Sequence, residues 1–73
     1  MNEHAVILVD STSQALRIEK LLISESLTCK LIPVPRHLSS DCGVCLRFMA
    51  ADLERVQASL EKNQMQFRSI EKL

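Results

Sequence analysis

The chain has 73 residues, with nine basic and nine acidic side chains, three cysteines, two prolines, one glycine and no Trp or Tyr. So short a chain buries only about 60% of the surface it exposes when unfolded, so one domain over residues 1–73 is expected. Its 47% hydrophobic and 25% charged content sets it apart from disordered chains. The zero net charge removes the global phosphate attraction on which nucleic-acid binding depends.

His4 to Val9 reads HAVILV, an apolar and largely β-branched run of the kind expected for a central strand. Asp10 and Ser11 then supply helix-capping chemistry, and Ser11-Thr12-Ser13-Gln14 fits a capping box. Ala15, Ile18, Leu21 and Leu22 form an apolar stripe opposite Arg17, Glu19 and Lys20, which predicts a helix from Thr12 to Ser26.

Cys29 to Val34, CKLIPV, reads as a second strand, and Pro33 assigns it to an edge because proline removes a ladder donor. Residues 36–42, RHLSSDC, carry turn formers without apolar periodicity and read as a loop or a single helical turn. From Gly43 to Phe48 the residues alternate, with Val44, Leu46 and Phe48 on one face and Cys45 and Arg47 on the other. Ala50 to Lys62 places Leu53, Val56 and Leu60 on one side of a second helix. Gln66 to Ile70 reads as a last edge strand before a charged tail.

This order, βαββαβ, is that of the α+β ferredoxin-like fold, with two helices on one face of a four-stranded antiparallel sheet. The other face is expected to be partly open and available for homodimerisation or partner docking, although a monomer fits equally well. No apolar run reaches the roughly 20 residues of a membrane span, and MNEHAVILVD lacks the basic start of a secretory signal, so a cytoplasmic chain without membrane contact is expected.

The chemistry concentrates in PRHLSSDCGVCLRF, residues 35–48. Cys42-Gly43-Val44-Cys45 could be half of a metal site, with His37, Cys29 or His4 completing it, but none has the paired spacing of zinc motifs. It could be a redox pair, yet an extended backbone would hold the two Cα atoms about 10 Å apart, beyond the roughly 7 Å reach of a disulfide unless a turn at Gly43 intervenes. It could instead hold one reactive thiol, Cys42. Arg36, His37 and Arg47 would supply positive charge, Ser39 and Ser40 hydroxyls, and Gly43 an amide and a close approach for a partner. On that reading Cys45 supports or packs. An ordinary polar turn with small buried cysteines accounts for the same residues.

Pro35-Arg36, Ser39-Ser40, Cys42-Gly43 and Leu46-Arg47, with STSQALRIEKLL before them and ADLERV after, resemble the small bacterial selenium or sulfur carrier-like proteins. The resemblance implies that Cys42 accepts sulfur or selenium as a persulfide or selenopersulfide, with Arg36 and Arg47 stabilising the anion. It implies no bound cofactor and no metal, a donor of the cysteine desulfurase type and a protein acceptor. Cys45 stands where relatives carry a small residue such as Ala, which argues against a two-cysteine mechanism. A ferredoxin-like interaction or regulatory module without thiol chemistry is the alternative. An enzyme acting on small molecules is disfavoured, because no base-plus-nucleophile arrangement or cofactor fingerprint is visible.

Overall fold

The computed structural model describes residues 3–38 and 43–73. The elements are β1 (His4–Leu8), α1 (Thr12–Ser24), β2 (Cys29–Pro33), β3 (Val44–Met49), a short 3-10 turn (Ala50–Asp52), α2 (Leu53–Lys62) and β4 (Ser69–Lys72). The strands form one antiparallel sheet in the order β2-β3-β1-β4. This is the ferredoxin-like arrangement, with the HAVILV strand central and the proline-bearing strand at an edge.

The period of two assigns the strand residues to two faces. Ala5, Ile7, Val9, Leu46 and Phe48 turn towards the helices and bury against Ala15, Ile18 and Leu22 of α1, Leu27, and Val56 and Leu60 of α2. Val6, Leu8 and Cys45 form a smaller buried cluster on the other side.

Local bonding caps the start of α1 and the ends of both helices. The Ser11 hydroxyl accepts the Gln14 N–H at 3.2 Å, and Gln14 Oε1 accepts the Asp10 N–H at 2.9 Å. The expected capping box therefore closes one residue earlier than its usual form, on Asp10 instead of Ser11. The C-terminus of α1 comes before the expected Ser26. Ser26 adopts φ 63°, its N–H donates to Ile23 O at 3.0 Å, and the Leu27 N–H donates to Leu22 O at 2.8 Å. The same reversal ends α2, where Gln64 has φ 53° and the Met65 N–H donates to Leu60 O at 2.9 Å. Each is a Schellman ending at a position that usually holds glycine, and each drives an apolar residue, Leu27 or Met65, back onto the core.

The last strand lies further along than Gln66 to Ile70. Leaving α2, residues 64–68 are used to turn back. Phe67 packs on the helix-side core, the Arg68 N–H donates to Leu8 O at 2.7 Å, and pairing with β1 starts at Ser69 opposite Leu8. Glu71 and Lys72, expected in a tail, are strand residues, and charged side chains on an edge strand discourage pairing with another chain. The second helix likewise starts with a 3-10 turn over Ala50–Asp52 before α2 proper.

The two helices are joined by a polar tie. Ser59, buried on α2, donates its hydroxyl to Glu25 Oε2 at 2.6 Å, and Asn63 Nδ2 donates to Ser59 O at 2.8 Å.

Candidate functional site

The connection between β2 and β3 carries most of the residues singled out by sequence. At its base the Val34 N–H donates to Gly43 O at 3.1 Å, continuing the hairpin ladder beyond Pro33 and Val44. The Leu38 N–H donates to Pro35 O at 3.0 Å, so Pro35 to Leu38 make a turn with Arg36 and His37 exposed at its corners. Ser39, Ser40, Asp41 and Cys42 lie outside the described residues.

Gly43 returns the chain to β3 with φ +80°, a conformation in which a side chain is strained. It is exposed, and a Cβ built on it would meet nothing within 4 Å among the described residues. The backbone conformation is therefore what calls for a glycine here.

Leu38 is the residue that sequence reasoning undervalued. It packs against Val6, Leu8 and Cys45, together with Ile32, Val34 and Leu73. Leu38 thus lies over one part of the sheet face that was expected to be partly open, and Val6 and Cys45 have no exposed surface. The signal was present, since Leu38 is the sole apolar side chain in RHLSSD, but one residue has no periodicity.

The two described cysteines, Cys29 and Cys45, lie apart. The Cys45 thiol is buried in the cluster on which Leu38 packs and donates to Pro33 O at 4.0 Å. Cys29 lies across from Phe48 on the helix side, where its thiol donates to Glu19 O at 4.0 Å. Cys29 and Cys45 therefore face opposite sides of the sheet and cannot bind one ion together. His4 shares the face of Cys45 but lies four residues along β1 from Leu8, its cross-strand partner, about 13 Å at ~3.3 Å per residue. Burial first, and the nearby Glu19 carboxylate second, push the Cys29 thiol above its ordinary pKa. Cys29 is thus held protonated and is a poor nucleophile at neutral pH.

Arg47 does not sit beside Gly43. Four residues further along β3, about 13 Å away, it pairs with Lys30 on β2 and Val6 on β1. It lines a shallow cleft of about 190 Å³ with His4, Thr28, Lys30 and Met49. Arg36 at the turn and Arg47 in this cleft are separate features.

The antiparallel topology brings the β1–α1, β2–β3 and α2–β4 connections to the same end of the sheet. There Arg68 pairs with Asp10 at 3.2 Å, and a polar cleft of about 370 Å³ is lined by Ser11, Gln14, Arg17, Gln64, Met65 and Gln66. These polar residues lie apart in sequence, and only the Schellman turn at Gln64 draws them together.

A family model described as "Putative Se/S carrier protein-like" matches residues 4–72, nearly the whole chain. The chain belongs to that family. No curated protein and no solved structure matches it significantly. Among the described residues no helix is long and apolar enough to cross a membrane.

Proposed function

We propose that this member of the carrier family transfers sulfur or selenium between proteins on Cys42. The observation that carries the reading, beside the family match, is Gly43. The residue directly after Cys42 is exposed and left-handed, with no described residue within 4 Å of where a Cβ would stand, at the mouth of a connection whose base is fixed by the Val34–Gly43 bond. Partner enzymes must bring a reactive sulfur into line with the accepting thiolate, and a glycine lets them approach closely.

In the proposed step the Cys42 thiolate attacks the outer sulfur of a persulfide on a cysteine desulfurase. A new S–S bond forms on Cys42, the donor's S–S bond breaks, and its electron pair leaves on the donor thiolate. There is no net oxidation, so the protein needs no cofactor of its own. Delivery repeats the exchange with an acceptor protein's thiolate. Arg36 at the turn, with Ser39, Ser40 and the Gly43 amide, would stabilise the persulfide anion, and His37 would add charge when protonated. Arg47 lies farther away and contributes to the field of the same face. Cys45, enclosed beneath Leu38, serves as packing. A protein working inside the cytoplasm as a monomer suits this exchange.

The test is loading. Incubated with a cysteine desulfurase and cysteine, the wild-type protein and the Cys45→Ser variant should each gain the mass of one sulfur atom, and Cys42→Ser should gain none. Equal loss in Cys42→Ser and Cys45→Ser would replace the carrier by a dithiol mechanism. Absence of loading in every form, with partner binding intact, would favour the interaction module.

A further inference from the structure

The second face of the sheet is divided. Towards the β2–β3 connection it is closed by Leu38 over Leu8 and Cys45. Towards the other end it is open, and the open part is cationic. Lys30 and Arg47 stand directly opposite each other on β2 and β3. Like charges in that position destabilise a sheet, and among the described residues neither forms an ion pair. Beside them His4 and Met49 are cross-strand partners, and Met49 is 42% exposed. The acidic residue of the same row, Glu71, is two strands away from Arg47 beyond Val6, about 10 Å at the usual strand spacing.

We propose that this end of the sheet, formed by His4, Lys30, Arg47 and Met49, is a docking surface for an acidic segment of a partner protein. Charge complementarity selects the occupant. Two adjacent cations without counter-ions attract carboxylates, while the exposed Met49 and the apolar cleft beside it accept an aliphatic side chain. Size disfavours a second copy of this chain. Four strands of about five residues present a face of roughly 300 Å², part of it already under Leu38, against the roughly 800 Å² per partner of a stable interface. The chain's balanced charge disfavours nucleic acid. The surface deepens the carrier reading by giving a donor or acceptor a place to bind, but its existence does not depend on thiol chemistry.

The experiment is an NMR titration of the full chain with a decapeptide of alternating Glu and Leu. Amide shifts should concentrate at His4, Lys30, Arg47 and Met49, and binding should weaken as salt is raised. Lys30→Glu should lower affinity about tenfold, while Lys20→Glu, the same charge change on the exposed face of α1, should alter it by less than about twofold. Repeating the titration with Cys42→Ser should leave binding unchanged, so failure of the wild-type protein to load sulfur, with peptide binding retained, overturns only the carrier reading. Equal affinity for the Lys30→Glu and Lys20→Glu variants overturns the docking surface. So do the same shifts with inorganic phosphate alone, or a protein that self-associates through this face.

Discussion

The two faces of the sheet solve the burial problem differently. On the helix side a continuous core runs from Ala5, Ile7 and Val9 through Leu46 and Phe48 into both helices, and every strand contributes to it. On the other side, among the described residues, only Val6, Leu8 and Cys45 are buried, and Val34, Leu38 and Leu73 pack on them in place of a helix. The first face holds the fold together. The second holds Leu38, the last described residue before Cys42, against the sheet.

The sharpest contrast comes from truncating one residue on each side. Phe48→Ala should destabilise by about 3–5 kcal/mol, enough to unfold much of so small a protein in a denaturant titration. Leu38→Ala should cost only about 1–2 kcal/mol, because Leu38 is half-buried. Its larger effect should be on Cys45, whose reaction with a thiol reagent should accelerate markedly while Cys29 labelling is unchanged. Equal stability losses in the two variants would show that the faces are not distinct in the way described.

Smaller effects are expected where polar contacts and turns hold the helix layer. Ser59→Ala removes the hydroxyl donated to Glu25 and should cost about 1 kcal/mol, read as a lowered thermal midpoint. Ser26→Gly should stabilise by roughly 0.5–1 kcal/mol, since Ser26 holds a left-handed φ that glycine adopts without strain. A lower midpoint for that variant would remove the strain from the account.

The pH dependence should be the least pronounced. The Cys29 thiol titrates higher in the folded chain than in the unfolded one, so its contribution is fully present below the unfolded thiol's pKa and is lost as pH rises through the folded value. The folded chain should therefore weaken in the alkaline range, and Cys29→Ala should flatten that decline.

Much of this architecture was legible in the sequence because it rests on period. HAVILV is an unbroken apolar run that buries both faces, the stripe after Ser11 and the alternation after Gly43 are periodic, and Pro33 marks an edge. Features that depend on single residues or distant pairings were not legible. Leu38 has no neighbour to make a pattern. Ser26 and Gln64 end helices with a backbone conformation that sequence assigns to glycine, and the chain has only one. The start of β4 was set by the turn out of α2 and the Arg68–Leu8 bond, not by the alternation in QFRSI. Within the candidate site, the exposed turn at Arg36 and His37 and the position of Gly43 followed from local chemistry. The pairing of Arg47 with Lys30, away from Gly43, needed the strand register.

The central claim is that one thiol of three carries the transferred atom. After loading by a desulfurase, cleavage at Arg36 and Arg47 releases His37–Arg47 with Cys42 and Cys45 together, while Cys29 leaves on Leu21–Lys30. Fragmentation between Gly43 and Val44 then locates the added sulfur. The account predicts it on the fragment containing Cys42, and added sulfur on Cys29 or Cys45 with Cys42 unmodified would contradict it.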